Sequence, residues 1–312
     1  MGEHIAITGA SGFIGRHLTA FASSLGWDVL GLVRSETAAR LVEEAGGRFA
    51  LVNPADTESM ARALHGARAV VHLAQIGAER GGVSYDDVNV AGTMRVIEAA
   101  RRSGVPRIVF FSGLGVVRYG QSARCTNRYF LSKLAAEVEL FRSEREVAIF
   151  RPSYVVGPGD AFVPTLLDEM AAGEVERPGD GAYRLQPVAV ADAVAVVLAA
   201  IEMPILRGPL VLDLVGPEAL TFARFIDRLA RVARAQGQTA DFQVREIPIE
   251  DADEEAAAGG YRGLFADELD CLLCDEVADH TPLESLLGRF LTPLDEALAV
   301  SVRGTMGSGL EL

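Results

Sequence analysis

The sequence is poor in positive charge and has no long apolar run, and each deficit excludes a class of partner. Its 29 lysines and arginines are outnumbered by 43 aspartates and glutamates, which gives a net charge of −14 at pH 7. Such a charge repels the phosphates of nucleic acids and of anionic membrane surfaces. No segment reaches the roughly 18 consecutive apolar residues of a membrane span. We therefore expect neither nucleic acid nor a membrane as a partner.

Cysteine is also scarce, with three residues in the whole chain. An odd number of cysteines does not form a disulfide framework, and no signal peptide is visible, so a cytoplasmic location is predicted. Cys271 and Cys274 have the spacing of half a zinc site, but the third cysteine, Cys125, is distant in the sequence. Because a structural zinc site requires four ligands, we predict no metal and interpret the pair as buried thiols of a helix.

The sequence does contain a regular alternation of short apolar segments with segments of helical periodicity. The predicted strands are Ile5–Thr8, Trp27–Val33, Phe49–Val52, Ala69–Leu73, Arg107–Phe111, Val147–Phe150 and Leu210–Leu214. The predicted helices are Phe13–Leu25, Ala38–Ala45, Thr57–Leu64, Asp87–Ser103, Asn127–Arg142, Phe162–Ala172, Val188–Glu202, Phe222–Ala235, Tyr261–Leu273 and Pro293–Val302. This alternation predicts an α/β fold with a doubly wound parallel sheet.

The first predicted strand runs into a glycine-rich turn, Thr8-Gly9-Ala10-Ser11-Gly12-Phe13-Ile14-Gly15, that opens a helix. Gly9 permits the tight turn, Gly12 lets the backbone approach a pyrophosphate, and Gly15 allows close packing of helix on strand. The helix N-terminus offers unpaired N–H groups and partial positive charge to the anion. The spacing and its context predict a Rossmann dinucleotide-binding domain. The expected cofactor contacts in this turn are Gly9, Ser11, Gly12, Phe13, Ile14 and Gly15.

The end of the second strand bears on which dinucleotide is bound. A free ribose is usually held there by an acidic residue, about 20 residues after the glycine turn. Arg34 stands at this end instead, and a guanidinium can pair with the 2′-phosphate of NADP. The alternative is that Arg34 is a solvated residue, and the nearby Glu36 keeps NAD open. We favour NADP.

The pattern changes after residue 152, where prolines and glycines cluster. We assign residues 1–154 and 187–214 to the dinucleotide-binding domain and residues 155–186 and 215–312 to a smaller C-terminal substrate lobe. Within that lobe, the acidic run Glu250–Glu255 is predicted to be a solvated loop.

Tyr129 and Lys133 lie four residues apart on a predicted helix, which puts the phenol and the ammonium on one face. A free phenol has a pKa of about 10, and a neighbouring cation lowers it. Such a pair can exchange a proton with a substrate oxygen while hydride moves to or from a nicotinamide.

Together these motifs resemble the short-chain dehydrogenase/reductase superfamily, in its extended or atypical NAD(P)-dependent epimerase/dehydratase branch. The resemblance covers about the first two hundred residues. It rests on Thr8–Gly15, His72-Leu73-Ala74, Asn89–Thr93, Phe111-Ser112-Gly113, Tyr129 with Lys133, Arg151-Pro152, Gly157-Pro158-Gly159 and Pro187–Asp192. It implies that Tyr129 transfers the proton, that Lys133 also binds the nicotinamide ribose, and that Leu73, Ala74 and Gln75 line the cofactor.

Two positions depart from the family pattern. Extended members usually carry a third hydroxyl residue after the fifth strand, where it steadies the reacting oxygen, whereas this chain has Leu114 there. Of that group only Ser112 remains as a candidate catalytic hydroxyl, and Ser122 or Thr126 is the alternative. Tyr154 occupies a position where sugar-nucleotide enzymes of the family often have asparagine. Both departures disfavour a nucleotide-sugar epimerase.

The sequence therefore predicts an NADP(H)-dependent oxidoreductase acting on a carbonyl, alcohol or sugar-like small molecule. The alternative is a non-catalytic NADPH-binding structural or sensor protein, similar to the dehydrogenase-like accessory subunit of respiratory complex I. Leu114 favours this alternative, and the intact Tyr129 and Lys133 pair opposes it. The oligomeric state stays open, although family members often form homodimers through the two long helices near Asn89 and Tyr129.

Overall fold

The computed structural model describes residues 4–238 and 241–304 of the chain. These residues form thirteen strands: β1 (His4–Thr8), β2 (Asp28–Val33), β3 (Arg48–Leu51), β4 (Ala67–His72), β5 (Arg107–Phe111), β6 (Glu146–Pro152), β7 (Val155–Val156), β8 (Glu174–Pro178), β9 (Arg184–Leu185), β10 (Val188–Ala189), β11 (Leu210–Leu214), β12 (Leu220–Thr221) and β13 (Gln243–Ile247).

The same residues form twelve α-helices: α1 (Phe13–Ser24), α2 (Glu36–Glu44), α3 (Thr57–Leu64), α4 (Ala91–Ser103), α5 (Arg128–Phe141), α6 (Phe162–Ala172), α7 (Val190–Glu202), α8 (Phe222–Ala235), α9 (Ile249–Ala257), α10 (Ala266–Leu273), α11 (Thr281–Leu287) and α12 (Leu294–Gly304). None of the helices in this described part is long and apolar enough to cross a membrane.

Seven strands form one parallel sheet in the order β11-β6-β5-β4-β1-β2-β3. The order reverses between β1 and β4, because the chain builds outward from β1 to β3 and then crosses back. In such a sheet this reversal opens a crevice at the carboxyl ends of the two strands, where ligands bind. The predicted Rossmann fold is confirmed, and all seven predicted strands belong to this sheet.

Apolar cores cover both faces of the sheet. Ile5 and Ile7 of β1 point into the core beneath α1, α2 and α7, whereas Ala6 between them points into the core beneath α3, α4 and α5. This alternation is the reason that the strand is apolar along its whole length. Full burial of one such isoleucine contributes about 1.5–3 kcal/mol to folding.

A separate core lies in the C-terminal part of the chain, where α6, α8 and α12 pack around Leu166, Phe222 and Phe225. Three two-stranded sheets, β7 with β10, β8 with β13 and β9 with β12, accompany it. Leu283 and Leu291 of the same part pack instead in the core of the main sheet. The division into 1–154 with 187–214 and 155–186 with 215–312 stays a prediction, and residues 305–312 lie outside the described ones.

The acidic run Glu250–Glu255 is part of α9, so its prediction as a loop is wrong. Ala252 and Ala256, four residues apart, are fully buried in the lobe core and give the helix an apolar face. The acidic side chains mostly occupy the solvated face, which a charge count alone does not distinguish from a loop. The helix predicted from Tyr261 begins only at Ala266, because the intervening chain turns, with Gly263 at a φ of +74°.

Candidate active site

A cavity of about 690 Å³ opens at the carboxyl ends of β1, β4, β5 and β6, at the reversal of strand order. The glycine turn forms one side of it, Tyr129 of α5 another, and the C-terminal lobe covers it. Much of the wall is apolar, and the lobe contributes Ala161, Phe162, Leu166, Leu264, Cys271 and Leu272. The cavity therefore places the predicted dinucleotide turn and the predicted acid/base on one site.

Two glycines of the turn allow a backbone approach that no side chain would permit. At Gly9, with φ at +74°, a Cβ would lie 2.8 Å from the backbone nitrogen of Ala74. At Gly15 a Cβ would lie 2.2 Å from the carbonyl oxygen of Gly9. Helix α1 can therefore start directly on the turn, beside the loop that follows β4.

The N-terminus of α1 meets the requirements of a phosphate cradle. Gly12 is its N-cap and supplies no side-chain cap, and no acidic residue occupies the first turn. Phe13 and Ile14 line the cavity beside Gly12. The start of the helix thus combines its partial positive charge with room for an anion, as the pyrophosphate of a dinucleotide needs.

Only some of the other predicted cofactor residues line the cavity. Leu73 and Gln75 line it, whereas Ser11, Ala74 and Arg34 are not part of its wall. Arg34 is exposed at the end of β2, two residues beyond Leu32, which pairs with Thr8 of β1. No ion pair within the described residues includes Arg34.

The loop after β4 is held by Asn89, whose part in the motif Asn89–Thr93 does not by itself predict this contact. Its amide accepts a hydrogen bond from the Ile76 nitrogen (2.9 Å) and donates to the Ile76 carbonyl (3.1 Å) and to Ser132 Oγ (3.0 Å). Asn89 thereby joins the loop that carries Gln75 to the helix that carries Lys133.

His72, buried between Thr8 and Thr93, has its pKa lowered to about 3 by burial and stays neutral.

Tyr129 and Lys133 converge on one oxygen. The Tyr129 hydroxyl lies 3.5 Å from Gln75 Oε1, and the ammonium of Lys133 donates to the same oxygen at 2.6 Å. Lys133 is fully buried behind the cavity wall, with its nitrogen 4.3 Å from the centre of the Phe110 ring. The predicted common face of α5 is therefore present, with Gln75 as the bridge.

The electrostatics of this pair differ from the sequence-based expectation. Burial raises the pKa of the Tyr129 phenol, and nearby Cys271 and Glu276 raise it further. Burial lowers the pKa of Lys133 to about 7, although Glu137 opposes the shift. The Tyr129 pKa is therefore raised, opposite to the direction expected from a neighbouring cation, and the phenol keeps its proton.

Ser112, at the end of β5, lines the cavity next to Tyr129. Its hydroxyl is buried and has no hydrogen-bond partner within the described residues. A buried hydroxyl without a partner is costly, so it fits a site that a ligand completes. Leu114 is buried and does not belong to the cavity wall.

The lobe adds polar groups that sequence reasoning missed. Glu268 and Glu276 both line the cavity, and Cys271 lies between them in the sequence. The Sγ atoms of Cys125 and Cys274 are 2.7 Å apart, in a small core beside Tyr129. No short motif could reveal such a contact, because 149 residues separate Cys125 and Cys274 in the sequence.

The fold and the glycine turn together define a Rossmann-type dinucleotide-binding domain. The chain belongs to the NAD dependent epimerase/dehydratase family, whose model matches residues 5–208. That match confirms the resemblance drawn from the motifs.

Individual relatives differ in what their names describe. The chain is 26% identical over 265 residues to NADH dehydrogenase [ubiquinone] 1 alpha subcomplex subunit 9, mitochondrial, of Arabidopsis thaliana. This alignment covers 78% of this chain and 64% of the relative. It is 30% identical to 2-alkyl-3-oxoalkanoate reductase of Stenotrophomonas maltophilia, over 61% of this chain and 62% of the relative. The match thus spans a little under two thirds of these relatives.

A solved structure of MoeE5 in complex with UDP-glucuronic acid and NAD is similar over the whole fold. Its TM-score is 0.72 at 25% identity, with 97% of this chain and 99% of that chain covered. The likeness therefore extends past residue 208, where the match to the family model ends.

Proposed function

We propose that the protein is an NADP(H)-dependent oxidoreductase that interconverts a ketone and an alcohol on an apolar small molecule. The observation that carries the proposal is the position of the Tyr129 phenol on the same cavity as the glycine turn. The turn and the start of α1 would hold the pyrophosphate. The bound cofactor would supply hydride to the carbonyl carbon.

The chain's own residues would manage the proton in this reaction. The Tyr129 hydroxyl would donate its proton to the substrate oxygen as negative charge develops there. Lys133 lies behind Gln75, so it would act on the nicotinamide ribose through Gln75 and would support return of a proton to the phenol. Ser112 would supply a further hydrogen bond from its unpartnered hydroxyl.

The cavity favours an apolar substrate over a nucleoside diphosphate sugar. Arg262, the cationic residue on its wall, is paired with Glu169, and Glu268 on the same wall is paired with Arg80. A diphosphate would therefore meet carboxylates and no unpaired guanidinium on this wall. The relative named 2-alkyl-3-oxoalkanoate reductase supports a ketone beside an alkyl chain as the reacting group, and its substrate name also contains a carboxylate.

The direct test is consumption of NADPH with acetophenone as the probe ketone, followed by loss of the reduced nicotinamide absorbance. The proposal expects 1-phenylethanol as the product, in equal amount to the NADPH oxidised. If the protein binds NADPH yet forms no alcohol from acetophenone or from 2-octanone, ketone reduction is the wrong activity.

Arg34→Ala should weaken NADPH binding roughly tenfold, because one charge-assisted hydrogen bond to the 2′-phosphate is lost. Binding of NADH, which has no 2′-phosphate, should stay unchanged. Both affinities can be measured by titrating the reduced nicotinamide fluorescence. Arg40→Ala, another exposed arginine on the neighbouring helix α2, is the matched control. If the variant loses affinity for NADPH and NADH equally, Arg34 stabilises the fold and does not bind the 2′-phosphate. NAD would then be the cofactor.

A second candidate is a dinucleotide-binding protein without turnover. The similarity to a subunit of NADH dehydrogenase favours it. Position 114, where members of the family usually carry a hydroxyl residue, holds a leucine that does not line the cavity, and this favours it as well. Tight NADPH binding together with no hydride transfer would support this candidate.

We also propose that the chain forms a homodimer through α4 and α5. Met94, Leu131 and Phe141 are exposed apolar side chains on these two helices. Leu131→Glu should shift the protein from dimer to monomer in light scattering coupled to gel filtration, because a charge would enter an apolar interface. Leu25→Glu, at a similarly exposed leucine beyond α1, should leave the mass unchanged. A wild-type monomer would contradict the proposal.

A further inference from the structure

Glu276 is a buried acid on the cavity wall that the proposed proton transfer does not use. Its side chain lies in the segment after α10, and the residue is 6% exposed. It shares the cavity with Tyr129 and Ser112. No ion pair among residues 4–238 and 241–304 includes its carboxyl group. Such a group is expected to be neutralised by a proton or by a ligand.

The surrounding chain fixes Glu276 in place. Its backbone nitrogen donates to the carbonyl oxygen of Arg184 (2.8 Å), and the preceding Asp275 pairs with the Arg184 guanidinium (2.8 Å). Ser153, which directly follows β6, lines the cavity together with Glu276. The acid is thus held between the lobe and the sheet.

The environment favours the protonated form of this acid. Burial raises the pKa of Glu276 to about 8, while Ser153 and Arg118 oppose the shift. The other titratable groups that sense its charge are phenols and thiols, and their pKa values are raised. They are Tyr129 of α5, Tyr154 after β6, and Cys271 and Cys274 of α10 and its end.

We propose that Glu276, as a neutral carboxylic acid, donates a hydrogen bond to the substrate carbonyl oxygen opposite Tyr129 and thereby selects neutral carbonyl substrates. The inference rests on the proposed ketone reduction. Glu276 keeps its proton throughout, whereas Tyr129 gives its proton to the oxygen and hydride adds to the carbon. Neutral donors aimed at an oxygen that gains charge stabilise the transition state. An ionised Glu276 would instead repel that oxygen.

The test compares Glu276→Gln and Glu276→Ala with the wild-type full chain by calorimetric binding of acetophenone at about pH 6 and about pH 9.5. The wild type should bind roughly tenfold more weakly at the higher pH, because the donor becomes a carboxylate. The glutamine variant keeps an N–H donor and does not ionise, so it should lose the tenfold difference and keep only the pH dependence that Lys133, with a pKa of about 7, contributes. The alanine variant should bind roughly tenfold more weakly than the wild type at the lower pH.

A second measurement follows the protonation itself, by NMR of protein labelled at the side-chain carboxyl carbon of glutamate. The signal absent from Glu276→Gln should titrate near pH 8, in line with the raised pKa. Titration below about pH 6 would overturn the proposal, since the acid would be ionised at neutral pH. This readout needs neither cofactor nor substrate.

Three binding results would also overturn it. These are a pH dependence in Glu276→Gln equal to that of the wild type, alanine binding equal to the wild type, and 1-phenylethylamine bound more tightly than acetophenone through Glu276. The last result would assign the acid to a cationic substrate. Absence of acetophenone binding would overturn the proposal together with its premise, whereas binding without turnover would contradict only the proposed function.

Discussion

Tyr129→Phe should lower the rate of NADPH-linked acetophenone reduction by about 10²–10⁴-fold, the contribution expected of a positioned proton donor. The variant removes one oxygen and keeps the ring, whose packing against Tyr85 and Phe130 holds it at centroid distances of 6.0 and 5.4 Å. NADPH affinity should therefore stay within about twofold, since the cradle at α1 is untouched. Steady-state rates and a fluorescence titration on the same preparation separate the two quantities.

Tyr119→Phe provides the control, because it removes a phenol that packs in the same small core but does not line the cavity. It should keep the wild-type rate. If Tyr129→Phe also keeps that rate, Tyr129 is not the proton donor and the role passes to another group on the wall. If the rate and the NADPH affinity fall together in Tyr129→Phe, the phenol holds the cofactor.

The fold was predictable because its signals are local. Each strand of the main sheet is a short apolar segment between helical patterns, and the turn Thr8–Gly15 requires glycine where backbone meets backbone. The small strands β7 to β10, β12 and β13 were not predicted. Most contain only two residues, and their pairing partners lie far along the chain, so periodicity carries no information about them.

The candidate site was predictable only where one segment contains it. The spacing of Tyr129 and Lys133 fixes a common helix face, and the structure has that face. The ionisation of the pair was not predictable, because it depends on burial and on Gln75 and Glu276 from other segments. The substrate-facing acid belongs to a lobe whose sequence has no recognisable motif, so Glu276 emerges only from the cavity that the tertiary fold creates.

Gly15→Ala should abolish most dinucleotide binding, with an NADPH affinity lower by about 100-fold. The added Cβ would lie 2.2 Å from the Gly9 carbonyl oxygen and 2.7 Å from Ala10 Cα, and neither backbone atom can move as a side chain can. The start of α1 must shift away from the turn. Loss of two hydrogen bonds to a charged pyrophosphate, at roughly 1.5–3 kcal/mol each, is sufficient for that decrease in affinity.

Gly92→Ala is the matched control, since this glycine is also in the first turn of a helix, α4. Its Cβ would meet only the Asp87 carbonyl oxygen, at 3.8 Å. Alanine there should leave NADPH binding unchanged and raise the free energy of unfolding by up to about 1 kcal/mol, because alanine is the better helix former. Thermal unfolding of both variants distinguishes a local change in the cradle from general loss of structure. If folded Gly15→Ala binds NADPH like the wild type, the pyrophosphate is not held at the start of α1.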